Sequence, residues 1–175
     1  MAYGSGTSFG GGNVVYKGTV SNQTVTSLTN GTTYYFKFFT RNGTNWSAGV
    51  ETSATPVPPT AATDYFRSRI DGNWGTASTW ESSVNGSTSW ITSTLVPTNS
   101  ANSIAIQNTH TVTLAAAATA KNLTINGSLN QGSNTLTGTG TLTVSSNGTL
   151  FVGGTSNFPT GFTTTTLSSG STVNY

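Results

Sequence analysis

Ten charged side chains in 175 residues, four acidic and six basic, leave this chain at 6% charge and a net charge of +2, against about 25% charged residues in an ordinary soluble domain. The bases Lys17, Lys37, Arg41, Arg67, Arg69 and Lys121 are scattered, so they form no phosphate-binding stripe and exclude a nucleic-acid partner. With no cysteine there is no disulfide framework, which suits a bacterial surface protein better than an animal secreted one. No apolar run of about 18 residues is present, so no membrane span is expected.

Residues 1–13 are Gly-rich and read as a loop. Val14–Gly18 and Thr24–Leu28 are expected as short strands. A turn follows at Thr29-Asn30-Gly31-Thr32, and then the strongest strand signal of the chain, Thr33 to Thr40. It places Tyr34, Phe36 and Phe38 on one face and Tyr35, Lys37 and Phe39 on the other. Asn42-Gly43 marks a hairpin, and Trp46-Ser47 and Val50–Thr55 give the return.

Leu28-Thr-Asn-Gly31-Thr32-Thr-Tyr34, the alternating Phe36 and Phe38, Asn42-Gly43 and Ser47 resemble the second half of a fibronectin type III domain. The resemblance implies that Tyr34 forms a tyrosine corner, its hydroxyl bonding back a few residues upstream. A whole domain of that family needs about seven strands and about 100 residues. The chain supplies about four strands here, and its Asn30 stands where the family has Pro. Residues 1–55 are therefore expected to be a partial sandwich, truncated or completed by strands from elsewhere. The Pro-rich stretch 56–63 reads as an extended linker.

Residues 64–103 hold three of the four tryptophans, Trp74, Trp80 and Trp90. Two roles are open to them. They cover the apolar cross-section that the end of a stacked β structure exposes, or they form a platform on which sugar rings stack.

From 104 the sequence pulses as apolar–small–apolar triplets: Ile104–Ile106, Val112–Leu114, Leu123–Ile125, Leu142–Val144 and Leu150–Val152, separated by Asn, Gly and Ser corners. Leu142-Thr-Val144 is echoed 23 residues later by Thr165-Thr-Leu167, and an earlier copy begins at Leu123, 19 residues upstream of Leu142. A loose period of about 20–25 residues built from short strands is the pattern of a β-solenoid; an antiparallel sandwich of Thr-rich strands is the competing arrangement. The run Arg67-x-Arg69-x-x-Gly72-Asn73-Trp74, Trp80-Glu81, Trp90 and Pro97, leading into these pulses, resembles the capped start of surface β-solenoids in large Bacteroidetes proteins exported by the type IX secretion system. The expected fold is all-β: a partial fibronectin type III-like sandwich over 1–55, then a right-handed parallel β-solenoid with a cap over 64–103 and turns over 104–175 that continue beyond Tyr175.

Chemistry is sparse. Asp64, Asp71 and Glu81 show no spacing that makes a catalytic pair. His110 has no second histidine or cysteine with which to share a metal, and the serines lack a plausible histidine base. No catalytic residue, metal or cofactor is expected. The sequence reads as a non-catalytic structural or adhesive segment of a longer secreted protein at the bacterial cell surface, touching carbohydrate or another extracellular polymer. A carbohydrate-binding accessory module of a polysaccharide-degrading enzyme is the alternative. Ice binding is the minor one, suggested by the alternating Thr135, Thr137, Thr139, Thr141 and Thr143, although Gly138 and Gly140 interrupt the apolar face there.

Overall fold

The computed structural model describes residues 8, 9 and 11–175. Most of the N-terminal loop reading falls on residues outside that set. The chain divides into two compact units, one ending at Val57 and one beginning at Pro58.

The first unit is a set of small hairpins. β1 (Ser8–Phe9) pairs with β2 (Gly12–Asn13), and β3 (Tyr34–Phe38) pairs antiparallel with β6 (Val50–Ala54), Phe36 facing Thr52. β4 (Arg41–Asn42) and β5 (Asn45–Trp46) extend that hairpin toward the turn at Gly43, whose φ of +58° suits glycine. The expected strands at 14–18 and 24–28 do not form. They lie outside the two-stranded sheets of this unit, and Val15 and Val20 stay exposed. No residue from 11 to 57 is buried, so this unit as described carries a hairpin without the facing sheet that would make a sandwich.

The second unit is a β-solenoid of about three turns. Its strands fall into three parallel stacks. The first face holds β7 (Tyr65–Ser68), β11 (Ser103–Ile106), β14 (Leu123–Ile125), β17 (Thr141–Val144) and β19 (Thr164–Leu167). The second holds β8 (Gly72–Asn73), β12 (Thr111–Thr113), β15 (Ser128–Gly132), β18 (Thr149–Val152) and β20 (Thr172–Asn174). The third is shorter: β13 (Ala118–Ala120), β16 (Leu136–Gly138) and a bridge from Thr137 to Thr160.

Every strand beyond Asn102 runs parallel to its neighbour, which rules out the antiparallel sandwich. The repeats read from the sequence are the register itself: Leu123 pairs with Leu142, Leu142 with Thr165 and Val144 with Leu167.

Alternation makes the core. Even-numbered positions of β7, β11 and β17 and odd-numbered ones of β14 point inward, giving one column of Phe66, Ile104, Leu123 and Leu142 and a second of Ile106, Ile125 and Val144. Val112, Leu129 and Leu150 form the matching column of the second face. All are buried, each contributing about 1.5–3 kcal/mol of apolar transfer that is realised only when the next rung covers it.

The corner between the first two faces is as tight as the core. A methyl group on Gly127 would lie 2.2 Å from Gln107 O and 2.4 Å from His110 O, and one on Gly148 would lie 2.1 Å from Ile125 O. At the second corner the buried Gln131 donates through Nε2 to the carbonyls of Asn134 and Asn157, tying successive rungs together.

The solenoid starts earlier than the sequence suggests. β7 and β8 already stack in parallel on β11 and β12, so part of 64–103 is a first rung. The departure from solenoid geometry is the excursion after it. A 3-10 turn (Ala77–Thr79) leads into β9 (Trp80–Ser83), which pairs antiparallel with β7 and then with β10 (Ile91–Thr92). Thr60, in the stretch expected to be a linker, accepts from Ser82 Oγ and Thr94 N through its hydroxyl, so the part of that stretch from Pro58 onward belongs to the second unit.

Candidate functional site

The outward positions of the rungs follow from the same two-residue alternation that makes the core. On the first face Thr124, Thr143 and Thr166 stand one above another on successive rungs, and Thr141 stands below Thr164. On the second face Thr111, Ser128, Thr149 and Thr172 make a similar column. Thr119, Thr137 and Thr160 make one on the third. Hydroxyl columns are a consequence of parallel stacking in register: whatever one strand shows, the next shows about 4.8 Å away. The run Thr135–Thr143, contiguous in sequence, does not lie on a single face. Thr137 belongs to the third face and Thr141 and Thr143 to the first, with the corner at Gly140 between them.

The three tryptophans have separate surroundings. Trp74 and Trp80 are buried and packed edge to face at 5.0 Å between ring centroids. Trp80 Nε1 donates to Trp74 O at 2.9 Å and Trp74 Nε1 to Pro97 O at 3.2 Å, so both polar tips are satisfied. Neither indole offers a face to a sugar. Trp90 is half-buried on the outer side, with the Arg67 guanidinium 4.0 Å from its ring centroid. Arg67 also pairs with Glu81, which faces it across β7 and β9. Trp90 Nε1 is buried and has no hydrogen-bond partner.

Asp64, Asp71 and His110 serve the scaffold. Asp64 is buried and accepts from Ala61 N through Oδ2 at 2.9 Å. Asp71 Oδ1 accepts from Thr111 N at 2.8 Å, joining the first rung to the second. His110 lies in the corner before β12, as a turn residue. Its Nδ1 is 2.9 Å from Ser68 Oγ, which also accepts from Gln107 N at 2.8 Å. Ser68 is fully buried, so this Ser–His contact fastens one rung to the next and is closed to a substrate. Ser68 and Gln107 were not singled out by the sequence; the only signal for Ser68 was its alternation with Phe66. Among the described residues no three of His, Asp and Glu gather as a metal site needs.

In the first unit, Tyr34 Oη accepts from Thr29 N at 3.0 Å, five residues upstream, and this donation favours the phenolate and lowers the Tyr34 pKa below the ordinary phenol value. Lys37 Nζ lies 2.6 Å from Glu51 Oε1, and that hydrogen bond and charge hold the Glu51 carboxyl below the usual range. Both side chains are exposed, so the pair adds little stability. Tyr35, Phe38 and Val50 are also exposed.

The chain is an all-β protein containing a β-solenoid of about three turns. Among the described residues no helix is long and apolar enough to cross a membrane, which says nothing of a β-barrel. No family model matches the chain, and neither the curated proteins nor the solved structures give a match.

Proposed function

We propose that this chain is a non-catalytic structural and adhesive segment of a secreted bacterial cell-surface protein. The observation that carries this reading is the pairing of a rigid, rung-by-rung core with uncharged hydroxyl columns on all three outer faces. Such a surface offers the same weak polar contact many times over, which suits multivalent attachment to a repetitive polymer such as a polysaccharide. The use of Asp64, Asp71, Glu81 and His110 as fasteners within the scaffold supports the absence of turnover. The likeness of about 64–175 to capped Bacteroidetes solenoids, and of about 13–56 to half a fibronectin type III domain, supports the extracellular setting and a longer parent chain.

The test is retention of the chain on insoluble polysaccharides and on a glycan array, with reducing ends assayed in the same tubes. Retention without new reducing ends is expected. Failure to bind any polymer removes the adhesive part, and release of reducing ends removes the non-catalytic part.

Ice binding is the second reading, and one observation favours it. Thr141 with Thr143, and Thr164 with Thr166, form a two-by-two array on adjoining rungs, extended by Thr124. The rungs repeat at about 4.8 Å and the paired threonines at about 6.6 Å along the strand, so methyl and hydroxyl groups present a regular lattice to water. Inhibition of ice recrystallisation by the parent chain, lost in Thr143→Tyr with no change in melting, is the result this reading requires; equal behaviour of the two proteins sinks it.

A further inference from the structure

We propose that Phe151, with Asn130 and Asn174 to either side of it, forms a subsite on the second face for a neutral sugar ring of a polysaccharide; this rests on the adhesive reading and gives it one place on the surface. Among the described residues, two aromatic side chains alternate outward from the strands stacked in parallel, Tyr65 of β7 and Phe151 of β18. Tyr65 lies at the end closed by β9 and β10 and is half-buried: a methyl group on Gly86 would be 2.7 Å from its ring. Phe151 stands open, 38% exposed. β18 has a rung on each side, β15 and β20. The exposure of Phe151 therefore comes from the outward direction of its side chain and not from a bare edge.

The register places amides on both sides of this ring. Phe151 pairs with Asn130 in one direction and with Asn174 in the other, and Asn130 pairs in turn with Thr113. Asn130 and Asn174 are exposed, and neither amide has a hydrogen-bond partner among the described residues. Other asparagines of the solenoid differ. Asn73, Asn122, Asn134 and Asn157 use their side chains within the scaffold.

A pyranose has an apolar C–H face, which packs on the negative face of an aromatic ring. Its rim carries hydroxyls that donate and accept, and an amide also does both. Rungs repeat at about 4.8 Å, so a sugar seated on Phe151 brings its rim within reach of the amides on either side. A chain of such sugars lying along the solenoid axis runs on over Thr113. The five strands of the second face carry no charged residue. A neutral polymer suits them, because nothing there would offset the desolvation of a carboxylate. Trp90 on the first face is a poorer platform, since the Arg67 guanidinium already lies over its ring.

The experiment is affinity electrophoresis of the whole chain in gels containing galactomannan, with pull-down on microcrystalline cellulose and on chitin and with polygalacturonate as the acidic comparison. Binding to at least one of the neutral polymers is expected. Phe151→Thr installs the residue that most neighbouring outward positions carry, so melting is expected to be unchanged, while affinity falls by about tenfold or more. Phe151→Tyr is expected to bind as its parent does, Asn130→Ala several-fold more weakly, and Thr124→Ala, on the first face, as its parent does. Equal binding by Phe151→Thr and its parent overturns this site and leaves adhesion standing, as does binding confined to polygalacturonate or an equal loss in Thr124→Ala. No binding to any of these polymers overturns the site and the adhesive reading together.

Discussion

Trp80→Ala is expected to cost about 3–5 kcal/mol and to lower the melting temperature of the solenoid by roughly 10 °C or more. Trp80 is fully buried and its indole donates to Trp74 O, so truncation removes the largest fully buried side chain, a hydrogen bond and the edge-to-face contact with Trp74 together. Few side chains stand ready to fill the space. Trp80 faces Ser68 across β7 and β9, and Ser68 is small and already held by Gln107 and His110. Trp90→Ala is the control. It gives up a half-exposed ring and a cation–π contact with Arg67, about 0.5–1 kcal/mol. Urea titration followed by tryptophan fluorescence and far-ultraviolet dichroism measures both. A Trp80 variant within about 1 kcal/mol of its parent would mean that the space refills, and that the closed end of the solenoid does not depend on this ring.

The contrast between Trp80 and Trp90 shows where sequence reading stops. Three tryptophans in one segment indicate a cap or a sugar platform, but their spacing does not say which face each takes. The structure separates them because Trp80 faces Ser68 on the inner side of the sheet, whereas Trp90 lies on the outer side against Arg67.

The parallel rungs were legible for a simpler reason. When register is set by stacking, a repeat in sequence becomes a contact in space, so the offsets of 19 and 23 residues from Leu142 name its two neighbours, Leu123 and Thr165. The third face escaped notice because Ala118 and Ala120 are too small, and Gly138 too bare, to register as apolar pulses. Small residues suffice there because Phe162 supplies the bulk: a methyl group on Gly138 would lie 2.1 Å from its ring. The hydroxyl columns were half visible. Thr143 and Thr166 share the offset of Leu142 and Thr165, but the unbroken run from Thr135 to Thr143 drew attention along the chain, where the structure turns a corner. In the first unit the aromatic alternation of β3 gives the hairpin, while 14–18 and 24–28, whose apolar residues find no core to enter, form no strand.

The corner glycines give the second large effect from the smallest change. Gly127→Ala adds one methyl group, yet that carbon would lie 2.2 Å from Gln107 O and 2.4 Å from His110 O, both backbone atoms of the rung below. A side chain in the way can rotate aside, whereas these carbonyls are fixed, His110 O by the bond it accepts from Ser128 N. Relief requires the two rungs to part at the corner, and separation there weakens the neighbouring pairs Val112–Leu129 and Ile106–Ile125. The expected cost is about 3 kcal/mol or more, at the upper end of overpacking effects. Gly132→Ala sets the comparison. Gly132 has a φ of +57° but nothing closer than 4.0 Å to the added carbon, so its cost is the left-handed strain alone, about 1–2 kcal/mol. Thermal and urea unfolding of the two variants rank them. Steric closure of the corner requires Gly127→Ala to be the worse, and hydrogen exchange to quicken first at Ser128, whose amide bonds to His110 O. If Gly132→Ala is the more damaging, the glycines of this solenoid are selected for backbone conformation and not for the closeness of its rungs.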